Sequence, residues 1–299
     1  MMQSRDDSDR IAGWATRMVP PSAPHRAMMT VDVEDYFQVE AFFSLIDRKD
    51  WDNYAGRVER NTDRILEMFA AAGTKATFFT LGWVAKRHPG LIRRIVDQGH
   101  EVASHGLEHR RCDSLDRAAL LGDLKDSKSL LEDLSGHPVN GYRAASFSVT
   151  RKNLWALEAI AEAGYKYSSS IYPIRHDLYG IPEAPRFAFR PFDASPFLEI
   201  PVTSFRLAGM NLPAGGGGYF RLLPYWWSSF QQRRLRGQGP CMFYFHPWEI
   251  DPGQPRIGGA SLKTRIRHYT NLGAMQRRLE KILGEFSWSR VDAVYPVQP

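Results

Sequence analysis

Residues 27–35 read Ala-Met-Met-Thr-Val-Asp-Val-Glu-Asp, a short apolar run that ends in acids. Continuous apolar runs of this length are typical of strands that are buried on both faces, as in parallel sheets. Enzymes built on parallel strands place functional groups directly after the strands. The stretch therefore predicts a central parallel strand with a polar site at its carboxyl end.

Strand and helix patterns alternate on the C-terminal side of this strand. We predict helices at about 57–72, 89–98, 114–135 and 152–163, and strands at 76–81, 101–104, around Tyr142 and near Tyr167. Repeated units of one strand and one helix favour an α/β fold with a parallel sheet. Over roughly 250 residues a closed or nearly closed β/α barrel fits best, with a doubly wound open sheet as the alternative.

The chain divides into three predicted parts. Residues 1–26 are polar and aperiodic, which favours a flexible N-terminal tail. Residues 27–250 form the predicted barrel, whose last inner strand is Met242 to Phe245. Within it, residues 172–227 are rich in Pro, Gly and aromatics and lose the alternation, so we predict an insertion that shapes a cleft. Residues 251–299 are a predicted C-terminal extension on the barrel, with a closing helix at 269–283.

Composition excludes several classes of protein. The 299 residues are 43% apolar and 24% charged, which is typical of a globular chain rather than a disordered one. The net charge is +6, but the basic residues are scattered along the chain and are not interleaved with aromatic residues. We therefore do not expect nucleic-acid binding. Neither a membrane span nor a secretory signal is evident, which predicts a cytoplasmic protein. We expect the two cysteines, Cys112 and Cys241, to be buried thiols.

Polar side chains follow four of the predicted strands. They are Asp32 and Glu34 after the first, His105 and His109 after the third, Arg143 after the fourth and His246 after the last. A spacing of four puts two imidazoles on one side of a helical turn, where both reach one cation. With a carboxylate from another strand end they would make a site for Zn²⁺ or another divalent transition metal.

Each of these residues also has a plainer interpretation. Strand alternation points Asp32 and Glu34 to the same side, where one carboxylate could ligate and the other accept a proton. The same acids could instead cap a turn or helix. A lone histidine after three aromatics, as at His246, is compatible with a hydrogen-bonded core residue, and Arg143 with a surface cation.

Four segments in this order resemble a known family. They are 30–37 (TVDVEDYF), 104–109 (SHGLEH), 141–148 (GYRAASFS) and 243–249 (FYFHPWE). They resemble the motifs of NodB-type polysaccharide deacetylases, carbohydrate esterase family four. The resemblance covers about residues 27–250 and implies a distorted β/α barrel of about seven parallel strands. It implies a metal-dependent hydrolase, with one divalent metal such as Zn²⁺, that removes N-acetyl groups from a polysaccharide or oligosaccharide of N-acetylhexosamines.

Three further segments narrow the resemblance. Residues 170–177 (SIYPIRHD), 216–225 (GGGYFRLLPY) and 267–272 (RHYTNL) look like those of the subgroup found with exosortase-linked exopolysaccharide loci. The resemblance then extends to about residue 286 and implies a role in exopolysaccharide biosynthesis. Association with a membrane-bound polysaccharide synthesis complex is a further hypothesis.

The resemblance also implies a role for each residue at the strand ends. Asp32 matches the general base, and Arg143 matches the arginine that holds the base carboxylate. His105 and His109 match the metal-binding histidines. His246 matches the general acid that protonates the leaving amine.

Three departures from the family pattern stand out. The usual pair of adjacent aspartates is spread out, so the metal carboxylate is either Glu34 or Asp35; strand alternation favours Glu34. The usual proline two residues after the arginine is Ala145, which loosens that loop. The acid that tunes the catalytic histidine in the family is Ser168 here, so we expect His246 to be less well oriented.

The aromatic residues include candidates for stacking on sugar rings. They are Trp83, Tyr172, Tyr219, Trp226, Trp227 and Trp248, although packing in the core or rim explains each of them better. Two other functions stay open at this point. One is a hydrolase of the same fold acting on O-acetyl groups or cyclic amides. The other is an inactive carbohydrate-binding pseudoenzyme, for which Ala145 and Ser168 are the argument.

Overall fold

The computed structural model describes residues 2–22 and 27–296. Seven parallel strands form a curled sheet in the order β9-β1-β2-β3-β4-β5-β6, and the short β10 pairs with the first two residues of β1. The strands of this sheet are β1 (Ala27–Val33), β2 (Thr77–Thr80), β3 (Glu101–Ser104), β4 (Gly141–Tyr142), β5 (Tyr167–Ser168), β6 (Leu198–Glu199), β9 (Met242–Phe245) and β10 (Trp288–Ser289). The predicted distorted β/α barrel is confirmed as a half-barrel of seven parallel strands.

Helices cover the outside of the sheet. They are α2 (Val58–Ala71), α3 (Gly82–Arg87), α4 (Pro89–Asp97), α5 (Arg117–Ser135) and α6 (Trp155–Glu162). Their buried faces follow the apolar period of the sequence; in α2, for example, Val58, Ile65 and Phe69 are buried against the sheet. The ends follow ordinary capping rules, since the Asp116 side chain caps the first turn of α5 and Gly136 ends that helix at a φ of 70°.

The first described residues differ from the predicted flexible tail. Met2–Trp14 form a helix, α1, and the side chain of Trp14 is fully buried. Its indole lies 4.8 Å from the ring of Phe189. Three residues earlier, Ile11 is buried on the same helix face. Two apolar anchors at this spacing attach the helix to the barrel, although the rest of the segment is polar.

The predicted insertion contains ordered elements that the sequence did not reveal. Beyond β6 come an antiparallel hairpin of β7 (Ser204–Leu207) and β8 (Met210–Pro213), and two helices, α7 (Gly217–Leu222) and α8 (Tyr225–Leu235). A helix that the sequence did not reveal, α9 (Leu262–Tyr269), comes next, and the predicted closing helix at 269–283 is confirmed as α10 (Leu272–Glu285). Asn271, with a left-handed φ of 58°, separates the two helices. A last short helix, α11 (Val291–Val294), ends the described chain.

No helix in residues 2–22 and 27–296 is both long and apolar enough to cross a membrane. Cys112 and Cys241 are both buried and free, and burial raises the pKa of each thiol to about 12. Neither thiol is therefore a reactive thiolate at neutral pH.

Candidate metal centre and cleft

The carboxyl ends of β1, β3, β4 and β9 meet at one cleft. Asp32, Glu34, His105, His109 and His246 all line it, and its cavity volume is about 280 Å³. Parallel pairing explains the convergence, because β1 lies between β2 and β9 and thus brings the ends of distant segments together. The structure therefore brings all five of these predicted site residues to one place.

Glu34, His105 and His109 form a buried cluster of metal-ligating groups. One ligand atom from each residue lies within 4.8 Å of the other two. His109 Nε2 is 2.9 Å from Glu34 Oε2. Within the described residues, the buried His109 Nδ1 takes part in no hydrogen bond. Two imidazoles and one carboxylate, with a buried ring nitrogen left unsatisfied, fit a divalent transition metal such as Zn²⁺.

His105 is held in the form that binds a metal. Its Nδ1 lies 2.8 Å from the carbonyl oxygen of Arg143. Because a carbonyl only accepts, Nδ1 carries the proton and Nε2 keeps its lone pair. Burial lowers the pKa of His105 to about 4, so the ring is neutral at pH 7. Burial alone would raise the pKa of Glu34, but His109 and His246 lower it to about 2, which keeps that carboxylate charged.

The spacing of four predicted that the two histidines lie on a helical turn, and this prediction is wrong. They lie on the loop after β3, where Gly106 has a φ of 79° and His109 a φ of 52°. These left-handed residues turn the chain back toward the cleft, and the two rings end 5.1 Å apart. The two imidazoles are therefore brought together by a loop rather than by a helical turn.

Asp35 faces away from the cluster. Its Oδ2 accepts hydrogen bonds from the backbone N–H groups of Arg57 (2.5 Å) and Val58 (2.9 Å), and its Oδ1 accepts one from Tyr36 (2.8 Å). It therefore binds the N-terminal end of α2, a capping role. Of the two acids that the sequence left open, the geometry puts Glu34 beside the histidines.

Asp32 and Arg143 form a buried pair beneath the cleft. Arg143 Nη1 lies 2.5 Å from Asp32 Oδ1, and its side chain has no exposed surface. The same guanidinium donates to Thr30 Oγ1 at 2.9 Å and to Ser169 Oγ at 3.0 Å, and it lies 4.0 Å from the ring centre of Phe79. These contacts fix the Asp32 carboxylate and leave its Oδ2 directed at the cleft.

His246 lies on the other side of the cleft. Its Nε2 is 3.9 Å from Asp32 Oδ2 and 3.5 Å from Glu34 Oε1. Its Nδ1 is 2.8 Å from Glu249 Oε1. Burial opposes the charged form, but Glu34 and Glu249 outweigh it and raise the pKa of His246 to about 9. The imidazolium that a general acid needs is therefore available at neutral pH.

Ser168 does not weaken His246 in the way that the sequence suggested. The Ser168 hydroxyl donates to Ser170 Oγ at 2.7 Å, and the carboxylate beside His246 comes from Glu249 instead. The expected loss of orientation is therefore wrong. Sequence reasoning missed Glu249 as a functional residue, although an acid three residues after a catalytic histidine is a signal that could have indicated it.

The insertion supplies a wall of the cleft. His176, Tyr179 and Tyr219 line it, and the rings of His176 and Tyr179 stack 3.9 Å apart. Of the six aromatic candidates for sugar stacking, only Tyr219 and Trp248 are among the described residues that line the cleft. Trp248 itself lies between two imidazoles, with ring centres 5.2 Å from His246 and 4.1 Å from His268.

Two family models match this chain. Residues 50–168 match the family model described as polysaccharide deacetylase. This part of the chain is thus similar to a polysaccharide deacetylase domain. The residues that follow it, 169–296, match a domain of unknown function (DUF3473), so the wall of the cleft and His246 lie outside the deacetylase match.

Curated relatives match this chain over short segments. A chitooligosaccharide deacetylase from Rhizobium leguminosarum bv. trifolii is 36% identical over 70 residues, which are 23% of this chain and 33% of that protein. A peptidoglycan deacetylase from Helicobacter pylori is 29% identical over 118 residues, which are 40% of this chain and 39% of that protein. The chain thus spans little more than a third of the length of these relatives.

Solved structures share the fold over most of the chain. A Mycobacterium smegmatis protein named as a polysaccharide deacetylase has a TM-score of 0.54 and 18% identity, with 94% of this chain and 99% of that chain covered. A PuuE allantoinase has a TM-score of 0.57 and 18% identity, with 93% and 94% covered. At this identity the likeness concerns the fold alone.

Proposed function

We propose that this protein is a metal-dependent deacetylase that removes N-acetyl groups from an N-acetylhexosamine-containing oligosaccharide or polysaccharide. The observation that carries the proposal is the placement of a fixed carboxylate, Asp32, and a charged imidazole, His246, on either side of a cleft that also holds the Glu34, His105 and His109 cluster. This arrangement supplies a base, an acid and a metal site within one cleft.

The three-residue cluster would hold the metal. Glu34 contributes a carboxylate oxygen, and His105 and His109 contribute ring nitrogens. A bound divalent cation supplies Lewis acidity, which polarises the acetyl carbonyl and makes water more acidic. The protein supplies the remaining chemistry through Asp32 and His246.

Asp32 acts as the general base. Its Oδ1 is bound to Arg143, so Oδ2 is the oxygen that accepts a proton from the attacking water. The water oxygen forms a bond to the acetyl carbon. Arg143 has no exposed surface and several other partners, so the carboxylate does not need to reorient during this step.

His246 acts as the general acid. Its Nδ1 is directed at Glu249, so Nε2 is the atom that gives its proton to the sugar nitrogen. The bond between the acetyl carbon and that nitrogen then breaks. A free amine and acetic acid, which ionises to acetate, are the products; transfer of the proton held by Asp32 to His246 restores both groups.

The proposal also includes a biological role, exopolysaccharide biosynthesis, and a substrate class. The resemblance of residues 170–177, 216–225 and 267–272 to the exosortase-linked subgroup supports a role in exopolysaccharide biosynthesis. The names of the curated relatives, which act on chitooligosaccharide and peptidoglycan, support an N-acetylglucosamine-type substrate.

An acetate-release assay over three substrates tests the substrate class. The zinc-loaded protein is incubated with N-acetylglucosamine oligomers, peptidoglycan and O-acetylated xylan. We expect release from at least one of the two N-acetyl substrates and its loss after chelation. Release from the xylan alone would reassign the protein as an O-acetyl esterase, and binding of the oligomers without release would reassign it as a carbohydrate-binding pseudoenzyme.

A further inference from the structure

A buried carboxylate lies directly behind the histidine that faces the cleft. Glu249 has no exposed surface, and its Oε1 is 2.8 Å from His246 Nδ1 and 3.1 Å from the His246 backbone nitrogen. Because an ionised carboxylate only accepts, both of these nitrogens donate to it. Two bonds to one oxygen fix the rotation of the imidazole and direct its Nε2 into the cleft.

Glu249 is itself fixed by an arginine from the insertion. Arg221 Nε lies 2.5 Å from Glu249 Oε2, and the arginine is 1% exposed. The other guanidinium nitrogens of Arg221 donate to the carbonyl oxygens of Arg267 at 3.0 Å, His268 at 2.9 Å and Thr270 at 2.8 Å. The guanidinium therefore cannot turn away, and it compensates the buried charge of Glu249.

We propose that Glu249 is the positioning residue of His246, and that Arg221 holds Glu249 in place. This inference rests on the proposed function, because His246 needs a fixed orientation only if it donates a proton. It gives a specific role to residues 169–296, which match a domain of unknown function, because they contain His246, Glu249 and Arg221 together. The family usually has an acid at the position of Ser168. In this chain Glu249, three residues after His246, takes its place beside the imidazole.

The test compares two leaving groups in the zinc-loaded protein. An N-acetyl sugar expels an amine, which needs a proton, whereas 4-nitrophenyl acetate expels a phenolate that does not. For Glu249→Gln we expect kcat for N-acetylglucosamine oligomers to fall roughly 100-fold with KM within about twofold. We expect hydrolysis of 4-nitrophenyl acetate to fall less than about threefold, since proton donation is not required there.

Two further variants exclude a merely structural effect. Glu249→Asp keeps the carboxylate and should recover part of the lost kcat. Glu199→Gln changes another fully buried glutamate, one outside the residues that line the cleft, and should not produce the split between substrates. Equal losses on both substrates, or no loss on either, would overturn the positioning role. Absence of acetate release by the unaltered protein would instead overturn the proposed function.

A different part of the insertion carries a second, independent inference. Residues 200–248 contain no Asp or Glu and five arginines. In the β7–β8 hairpin, Phe205 packs on α8, with its ring centre 6.0 Å from those of both Trp227 and Phe230. Leu207 pairs with Met210 at the hairpin end, and residues two apart on a strand face the same side. The hairpin end therefore extends the face that packs on α8.

This face is exposed, apolar and bordered by unpaired cations. Met210 is 64% exposed and Trp226 is 67% exposed, and Leu207 and Phe230 are exposed as well. At the C-terminal end of α8 lie Arg234 and Arg236, whose guanidinium groups pack over the rings of Phe230 (5.5 Å) and Phe286 (4.7 Å) and form no ion pair with other described residues. We call this set of four apolar and two basic residues the hairpin–α8 surface.

The geometry points to an anionic lipid surface as the partner of the hairpin–α8 surface. Tryptophan and other large apolar side chains favour the headgroup level of a bilayer, and guanidinium groups bind lipid phosphates. Residues 200–248 contain no acid, and Glu285 of α10, which contacts α8, is paired with Arg233 at 2.9 Å, so its charge is compensated. Leu222, which lines the cleft, precedes the first residue of α8 by three, so a sugar presented at the membrane would lie near the cleft mouth.

Vesicle sedimentation tests this surface in the full chain. We expect binding to vesicles of phosphatidylcholine with about 30% phosphatidylglycerol, little binding to phosphatidylcholine alone, and a strong decrease in high salt. Trp226→Ser with Phe230→Ser, and separately Arg234→Gln with Arg236→Gln, should each weaken binding by about 10-fold or more. Leu262→Ser removes an equally exposed apolar side chain from α9 and should leave binding unchanged.

Acetate release from a soluble oligomer should stay within about twofold in all of these variants, so a failure of the lipid inference is separable from a failure of the proposed function. Equal binding by wild type and variants, or none by wild type, would overturn the inference. So would a dimer that dissociates in the Trp226→Ser and Phe230→Ser variant, because a second copy would then cover the surface.

Discussion

Asp32 Oδ2 and His246 Nε2 lie 3.9 Å apart across the cleft, although the two residues are 214 positions apart in the chain. Each has a buried partner on the side away from the cleft: Arg143 holds Asp32 and Glu249 holds His246. The proposed base and the proposed acid are thus oriented by separate ion pairs from opposite halves of the chain. This separation lets each role be tested alone.

The first prediction concerns the base. Asp32→Asn should reduce kcat for acetate release by about 1,000-fold or more, because the water loses its proton acceptor. The variant should still bind about one equivalent of zinc, since Asp32 is not in the three-residue cluster. It should also be less stable by about 3 kcal/mol, because the buried Arg143 loses its counter-charge. Acetate release, metal analysis and urea unfolding check the three parts, and loss of zinc would contradict the assignment of Asp32 as base.

The second prediction separates Glu34 from Asp35. Glu34→Ala should lower zinc affinity about 10-fold or more, and changing His105 and His109 together to Ala should abolish stoichiometric binding. Asp35→Asn should keep the metal and lower stability by about 1 kcal/mol, because Asp35 caps α2. Isothermal titration with zinc and chemical unfolding measure these effects. Zinc retained by the double histidine variant would refute the cluster.

The third prediction concerns Ser168. Adding an acid there, as in Ser168→Asp, should not improve catalysis, because Glu249 already holds His246. Ser168 pairs in register with Glu199 on the neighbouring strand, so the substitution would put a second carboxyl beside a buried one. We expect a lower melting temperature and an unchanged pH–rate profile. A higher kcat in this variant would show that Ser168, rather than Glu249, governs His246.

The fourth prediction is a pH dependence of stability away from the cleft. Burial raises the pKa of Glu101 from its usual 4.5 to about 7, with Thr77 and Tyr167 donating to its side chain. The folded protein therefore favours the protonated acid, and this contribution is present below pH 4.5 and lost as the pH rises through 7. From about pH 5 to about pH 8 the unaltered protein should lose at most about 3 kcal/mol relative to Glu101→Gln. Urea unfolding of both proteins at the two pH values measures this difference, and the same difference at both would refute it.

The sequence predicted those site residues that directly follow a strand, because strands have a recognisable apolar pattern. Apolar runs located β1, β3 and β9 to within a residue or two, and the polar residues after them are the ones that line the cleft. Alternation favoured Glu34 over Asp35 without a structure, because the two side chains of adjacent residues point in opposite directions.

The sequence could not predict contacts between residues that are far apart in the chain and that belong to no periodic pattern of apolar residues. Arg221 lies in a helix of six residues and Glu249 in a 3-10 helix of four, and both helices are too short for an apolar repeat that would predict their orientation. The turn at His105 to His109 depends on a left-handed His109, a conformation that favours glycine or asparagine. Trp14 is buried by a partner, Phe189, that lies 175 residues further along the chain.

The central claim is that the cleft hydrolyses an N-acetyl group with Asp32 as base and His246 as acid. The most direct measurement is the amount of acetate and of new free amine formed from N-acetylglucosamine tetramer by the zinc-loaded protein. The account predicts equal amounts of the two products, and none from Asp32→Asn carrying the same amount of zinc. Undiminished product from Asp32→Asn, or no acetate from the fully metal-loaded protein, would contradict it.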